Sequence, residues 1–158
     1  MVARWLSNLK WFLLIAIVAG PGWAYYNWTL LETIKRVGAE GVETTGLVDG
    51  GESHSGRRSG TSYKIHVMWQ DTANTQHADN IDISSEYAKK IIQGDMLMID
   101  TVQIKYLASD AKVPVFVIED LPQQQDDKQI MIWVGIGAGI AGIIGSAIFF
   151  LTGRNKKA

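Results

Sequence analysis

The chain has 158 residues, of which 47% are hydrophobic, and a formal net charge of −1 at pH 7. It contains no cysteine, which excludes disulfide bonds and metal sites built on thiolates. Its central region has no basic stripe of the kind that binds nucleic acid, so nucleic acid is not an expected partner.

Charge is unevenly distributed along the chain. All 16 acidic residues lie in the central region from Glu32 to Lys128, whereas both flanks carry only positive charge, at Arg4, Lys10, Arg154, Lys156 and Lys157. Lys and Arg in short membrane-flanking segments are retained on the cytoplasmic side. We therefore expect a two-pass protein of the bacterial inner membrane, with both termini in the cytoplasm and the acidic centre in the periplasm.

The first apolar segment, residues 11–26, has no charged side chain. With a few neighbouring residues, a helix over this segment crosses a hydrocarbon core of ~30 Å. Aromatic side chains mark its two interfaces, as an aromatic belt does: Trp5, Trp11, Trp23, Tyr25, Tyr26 and Trp28. The alternative is a secretory signal peptide with Gly22-Trp23-Ala24 as its cleavage site, and we expect an uncleaved anchor.

A Gly20-Pro21-Gly22 sequence interrupts this segment. Proline lacks an amide donor and its ring clashes with the preceding turn, so we expect a kink or local unwinding at these residues. The alternative interpretation is a hinge, or a notch into which a partner helix packs.

The second apolar segment, residues 130–152, is uncharged and long enough to span a bilayer with some tilt. Its residues Gly135, Gly139, Gly142 and Ser146 share one helical face, and small residues let another helix approach closely. That helix is either the chain's own first span or one from a second copy or another integral membrane protein. We favour the second, because two isolated spans cover only one side of each other.

One motif in this segment is misleading. The residues from Gly137 to Gly142 read G-x-G-x-x-G, but the dinucleotide fingerprint needs a preceding strand and an acidic residue about twenty positions later. The motif lies inside a predicted span, so we reject nucleotide binding.

The region between the spans has the period-two alternation of half-buried strands. We predict strands over 42–48, 63–70, 75–83, 96–107 and 113–118, of which 75–83 is polar enough for an edge strand. Between them we predict a turn at Asp49-Gly50-Gly51, a polar loop over 52–60, a helix start with a hydroxyl cap at Ser84-Ser85-Glu86, and a bulge or bend at Asp100-Thr101. This pattern favours a small antiparallel barrel or a curled sheet, and an OB-like barrel is the most natural form. The fold class is therefore α+β, with two transmembrane helices flanking a β-domain that has one short helix.

These elements define the predicted domain organisation. The segments are a cytoplasmic tip and first span over 1–31, a helix end over 32–40, a β-domain over 41–120, a linker over 121–129, a second span over 130–152 and a basic tail over 153–158.

The polar residues suggest no catalytic site. His54, His66 and His77 lack the spacing of metal ligands on a helix, although His66 and His77 on paired strands could form a weak metal or pH-responsive site. Arg57 and Arg58 form a possible contact loop for an anionic lipid or an acidic partner. We expect no enzyme activity, cofactor, metal or small-molecule substrate.

The layout resembles a widespread bacterial family of unknown function, whose members are small membrane proteins with a β-rich domain next to transmembrane helices. The resemblance covers about residues 38–120 and rests on four features: Gly-Val-Glu-Thr-Thr-Gly-Leu-Val at 41–48, the strand over 63–70, Gly94-Asp95, and Val-Gln-Ile-Lys-Tyr-Leu at 102–107. It implies the fold and supplies no activity.

Two functions are compatible with these features. The first is a non-catalytic accessory or assembly subunit of a larger inner-membrane complex, which docks through the glycine face and the β-domain. The second is an extracytoplasmic ligand-sensing or immunity-type binding module. The expected partners are membrane lipids and another integral membrane protein or a copy of the chain.

Overall fold

The computed structural model describes residues 2–56, 60–93, 96–110 and 112–154, and the side-chain surroundings of 11–54, 61–93, 96–110 and 112–149. The chain divides into two compact units. One comprises Met1–Leu31 and Asp127–Ala158, and the other comprises Glu32–Asp126.

The described residues form three α-helices and seven strands. In chain order they are α1 (Val2–Glu40), β1 (Val42–Gly56), β2 (Gly60–Gln70), β3 (Gln76–Ile83), α2 (Ser85–Ile91), β4 (Ile92–Gln93), β5 (Met96–Leu97), β6 (Thr101–Tyr106), β7 (Phe116–Val117) and α3 (Leu121–Arg154), with a 3-10 turn at Ile118–Asp120 before α3.

Five strands form a curled antiparallel half-barrel in the order β3-β2-β1-β6-β7, and β4 pairs with β5 in a separate small sheet. The prediction of a mixed α+β chain with a curled antiparallel sheet is confirmed. The predicted edge position of β3 is confirmed, because β3 is the first strand in this order. The predicted hydroxyl cap of α2 is confirmed as Ser84, whose side chain accepts a hydrogen bond from the Tyr87 N–H.

The inner face of the half-barrel carries the main core. Alternate residues of the strands point inward, and the most deeply buried of them are Ile65, Val67, Ile81, Ile104 and Val117. Tyr87, Ala88 and Ile91 of α2 cover this face. A second cluster in the same unit joins residues from the end of α1, the loop after β6, β7 and the start of α3: Ile34, Val37, Leu107, Phe116 and Leu121.

The predicted turn at Asp49-Gly50-Gly51 is wrong. Strand β1 continues to Gly56, and the register with β2 shifts between Val48 and Gly50, which makes this site a β-bulge. Two successive residues without side chains allow the strand to bend there without ending. The polar segment predicted as a loop over 52–60 is therefore largely hairpin, at least through Gly56.

The predicted single strand over 96–107 is also wrong. Leu97 pairs with Ile92 in the small sheet, whereas Thr101–Tyr106 pairs with β1 in the large sheet. The change of side-chain parity near Asp100 therefore separates two strands of different sheets. The last strand is shorter than predicted, because only Phe116 and Val117 pair with β6.

Two features of the helices differ from or extend the prediction. The segment 121–129 is the beginning of α3 rather than a linker, since Pro122 lies in the first turn, where a helix tolerates proline. Helix α1 continues past Pro21. The kink at Gly20-Pro21-Gly22 stays a prediction.

Candidate interaction surfaces

The backbones of α1 and α3 approach each other closely in the helical unit. A methyl group placed on Gly20 would lie 2.7 Å from both the carbonyl oxygen of Gly135 and the amide nitrogen of Gly139. One placed on Gly135 would lie 2.8 Å from the carbonyl oxygen of Gly20. These distances are too short for a side chain, so the contact requires glycine on both helices.

The contact continues along α3. A methyl group on Gly139 would meet the Pro21 ring at 3.2 Å, and one on Gly142 would meet Ala16 Cβ at 3.1 Å. Gly135, Gly139 and Gly142 are buried, and Ser146 on the same face is half-buried. The glycine face therefore packs on the chain's own first helix, which is the intrachain alternative, and Gly20 and Pro21 form the notch that receives it.

Two other glycines of the helices have free space around them. No atom of a neighbouring residue lies within 4 Å of a methyl group placed on Gly22 or Gly137. These positions are natural controls for substitutions at Gly20 and Gly135.

The outer surfaces of both helices are apolar and exposed. Trp133 is 66% exposed, and it is one of many large apolar side chains of α3 at the surface; the others include Ile130, Val134, Ile140, Ile143, Ile144 and Ile148. Among the described residues one helix, Ile118–Phe149, is long and apolar enough to cross a membrane, and only 17% of its most apolar stretch is buried. So large an apolar surface favours contact with lipid or with another protein.

The predicted interfacial anchors of α1 are exposed where the structure describes them. Trp11, Trp23, Tyr25, Tyr26 and Trp28 each expose at least half of their surface. Tyr25 and Trp28 lie side by side, with ring centroids 6.0 Å apart. The side chains of Trp5, Arg57 and Arg58 lie outside the described residues.

An aromatic and acidic cluster occupies the turn between β2 and β3. The Trp69 ring stacks on His77 with centroids 4.5 Å apart and contacts Tyr106 at 4.3 Å. The Trp69 Nε1–H donates to Asp79 Oδ2 at 2.9 Å, and the Thr72 N–H donates to the Tyr106 hydroxyl at 3.0 Å. The rings therefore hold the hairpin end against β6.

Asp71 organises the turn itself. Its Oδ1 accepts the N–H groups of Ala73 and Thr75 at 2.8 and 2.9 Å, and its Oδ2 lies 3.0 Å from His77 Nε2. The hydrogen bond with His77, followed by that with Thr75, lowers the pKa of the Asp71 carboxyl below its ordinary value of 3.8. The turn also contains Asn74 with a φ of 63°, a conformation that asparagine tolerates better than most residues.

His66 belongs to a different pair. Its Nδ1 contacts Asp49 Oδ1 at the β1 bulge, on the outer face of the sheet, and His66 is aligned with Asn80 rather than with His77. Each of these two histidines thus has its own carboxylate partner, and the strands do not bring them together. No group of three or more His, Asp or Glu side chains able to hold a metal occurs among the described residues.

Asp120 forms a buried polar junction that the sequence did not indicate. It is 1% exposed, and its carboxylate accepts the Ser84 N–H and the Gln124 amide, both at 2.8 Å, as well as the Ser84 hydroxyl. The Gln124 amide also donates to the carbonyl oxygen of Asp82 at 2.9 Å. Only the pattern D-x-x-x-Q at a helix start could have indicated this site, and that pattern is too common to be informative.

Burial and charge around this junction act on Tyr87. Desolvation, and then the negative charges of Glu119 and Asp120, raise the pKa of its hydroxyl to about 12. The described polar clusters thus fix turns and strand ends.

No family model, curated protein or solved structure matches this chain, so the resemblance to the family of small membrane proteins stays a prediction.

Proposed function

We propose that the chain is a non-catalytic accessory subunit of a larger complex in the bacterial inner membrane, anchored by two helices that flank a periplasmic β-domain. The observation that carries the proposal is the large apolar surface that remains exposed after α1 and α3 have packed together. Exposure of such a surface to water is unfavourable and promotes aggregation, whereas lipid or a membrane partner covers it.

The packing of α1 against α3 supports the proposal that α1 also spans the membrane. Ala16, Gly20 and Ala24 of α1 lie against the apolar part of α3, so this portion of α1 shares its surroundings with α3. The charge distribution supports the orientation, since the acids lie between the apolar segments and both ends are basic.

The docking face proposed for a partner differs from the glycine face, because α1 covers the latter. With 3.6 residues per turn, Trp133, Gly137, Ile140 and Ile144 lie on the side of α3 opposite Gly139. Gly137 and Ala141, one turn apart, are exposed there and leave room for a close helix approach. Ile140 and Ile144 on the same side supply apolar contact area.

The β-domain supports the OB-like interpretation. Strands β1, β2 and β3 are joined in sequence, and the next strand of the large sheet, β6, returns to lie beside β1. This order is that of a Greek key, and an OB-fold is a partly open five-stranded Greek-key barrel. Such domains bind diverse partners on loops and faces, so the fold alone identifies no partner.

The test is purification from native membranes in a mild detergent, followed by identification of what copurifies. We expect wild type and Gly22→Leu to retain one integral membrane partner, and Gly137→Leu to lose it, because both leucines meet open space within the chain but only the second lies on the docking face. Chemical denaturation of each variant in the same detergent, followed by tryptophan fluorescence, verifies that the helices stay folded. Equal recovery of a partner with both leucine variants, or no partner with wild type, would contradict the proposal.

A further inference from the structure

A groove lies in the β-domain where the β1–β2 hairpin extends past the core. It has a volume of about 520 Å³ and is lined by Gly51, Glu52, Ser53, Tyr63, Ala88, Lys89, Ile92 and Leu97. Sites for small ligands have volumes of roughly 300–1,000 Å³. The groove is therefore large enough for a small molecule.

The groove exists because small residues occupy the inner face of the hairpin. Gly51 is aligned with Ile65 and Ser53 with Tyr63, and Ile65 points into the core, so all four residues face the same side. Ile92 and Leu97, paired in the small sheet, border the open space that Gly51 and Ser53 leave.

One part of the groove, which we call its floor, is apolar. Tyr63, Ile92 and Leu97 are half-buried and pack against the main core, and Ala88 is buried. Glu52 also lines the groove, although its alignment with Lys64 places it on the opposite face of the hairpin from Gly51 and Ser53. A hydrocarbon chain matches the floor in polarity.

The polar side chains of the lining residues are two hydroxyls, one cation and the carboxylate of Glu52. Ser53 and Tyr63 are neighbours across the hairpin, and Lys89 is exposed at the end of α2. Among the ion pairs of the described residues, none involves Lys89. A cation beside two hydroxyl donors is complementary to an anionic head group.

We propose that this groove binds a small amphiphile with one anionic head and an unbranched apolar chain. The chain lies on Tyr63, Ile92 and Leu97, and the head meets Lys89. A fatty acid and an alkyl phosphate share this chemistry. The inference is independent of the proposed docking through α3, and it gives the ligand-binding hypothesis a location.

The experiment uses the full chain in phosphatidylcholine nanodiscs. Empty nanodiscs measure the amount of ligand that partitions into the lipid, and this amount is subtracted. Binding of laurate, dodecyl phosphate and uncharged dodecanol is measured by equilibrium dialysis. The key variant is Gly51→Val, since a methyl group on Gly51 makes only ordinary contacts, the nearest being 3.6 Å from the Lys64 carbonyl oxygen, while the further methyl groups enter the groove. Gly50→Val is its matched control, because position 50 points to the opposite face and has no neighbour within 4 Å.

We expect one saturable site per chain for wild type and Gly50→Val, and an affinity at least about tenfold lower for Gly51→Val. Lys89→Gln should weaken the anionic ligands about two- to fivefold and leave dodecanol unchanged, as an exposed ion pair predicts. Tighter binding of laurate than of dodecyl phosphate would assign the site to fatty acids, and the reverse to phosphate heads. No saturable binding by wild type, or equal affinities for the two valine variants, would overturn the proposal. An unchanged affinity of Lys89→Gln for both anions would overturn the role of Lys89.

Discussion

The buried carboxylate of Asp120 accepts hydrogen bonds from both the backbone N–H and the hydroxyl of Ser84. Ser84 directly follows the edge strand β3, and Asp120 directly precedes α3. Gln124 donates from the same side to the carbonyl oxygen of Asp82. Strands β3 and β7 are the two edge strands of the sheet. At one end of the gap between them, these side chains make hydrogen bonds in place of backbone pairing, so that polar groups next to the edge strand are not left unpaired.

Replacement of Asp120 by alanine should destabilise the β-domain by about 3 kcal/mol, because three donors lose a charged acceptor inside the protein. Asp120→Asn should cost less, since one amide oxygen remains to accept the Ser84 N–H. Chemical denaturation of the full chain, with hydrogen exchange of the β3 amides as a local probe, measures both effects. The neighbouring Glu119→Gln is the control, and a loss as large in that variant would contradict a specific role of Asp120.

Asp71 should make the stability of the β2–β3 turn depend on pH on the acid side. Since the pKa of Asp71 is lower in the folded protein than its ordinary value of 3.8, its stabilising effect is complete above that value and disappears as pH falls through the folded pKa. In Asp71→Asn this part of the acid dependence should be absent. Hydrogen exchange of the Ala73 and Thr75 amides from about pH 6 to pH 3 measures it.

The exposed Asp100 provides the matched substitution for Asp71. Among the described residues its carboxylate makes no side-chain hydrogen bond, so Asp100→Asn removes an acid without changing the contacts of the turn. If Asp71→Asn keeps the wild-type acid dependence of the Ala73 and Thr75 amides, the Asp71 carboxylate does not control the turn.

Tyr87 should produce the opposite dependence at alkaline pH. Its pKa is raised from 10.0 to about 12, so its contribution to stability is complete below pH 10 and is lost as pH rises toward 12. Tyr87→Phe should therefore unfold with a weaker alkaline dependence than wild type between these limits. The measurement is the difference in denaturation midpoint between the two proteins at a series of pH values, and an identical alkaline slope would refute the burial of this hydroxyl.

The contact between α1 and α3 should respond to single methyl groups. Gly135→Ala should weaken it by about 1–3 kcal/mol, because the added methyl group meets the Gly20 carbonyl oxygen at 2.8 Å and the backbones must separate. Gly137→Ala should be neutral or slightly stabilising, since its methyl group meets open space and alanine favours helix. Chemical denaturation in detergent, followed by tryptophan fluorescence, measures the stability of both variants, and equal stabilities would argue against this packing.

The sequence predicts the parts of the fold that depend on local patterns. Alternation identified β2 and β3, and a hydroxyl followed by an acid identified the start of α2 at Ser84. The spacing of Gly135, Gly139 and Gly142 identified a packing face but not its occupant, because a small-residue face is equally complementary to any close helix.

The errors arise where distant segments decide the structure. Gly50-Gly51 has the composition of a turn, and only the pairing of β1 with β2 over its whole length makes it a bulge. Leu97 and Thr101 lie in different sheets because Ile92 and β1 are their respective partners. Asp120 and Ser84 are far apart in sequence, and the groove beside Gly51 requires the small sheet, so no local signal indicated either site.

The central claim is the path of the chain through the bilayer, and the absence of native cysteine permits a direct test. Single cysteines are introduced as Ser7→Cys, Ser109→Cys and Asn155→Cys and treated with a membrane-impermeant maleimide in intact spheroplasts. The account predicts that only the cysteine at position 109 reacts, and that positions 7 and 155 react after the membrane is permeabilised. Protection of position 109 in intact spheroplasts, or labelling of either end, would contradict it.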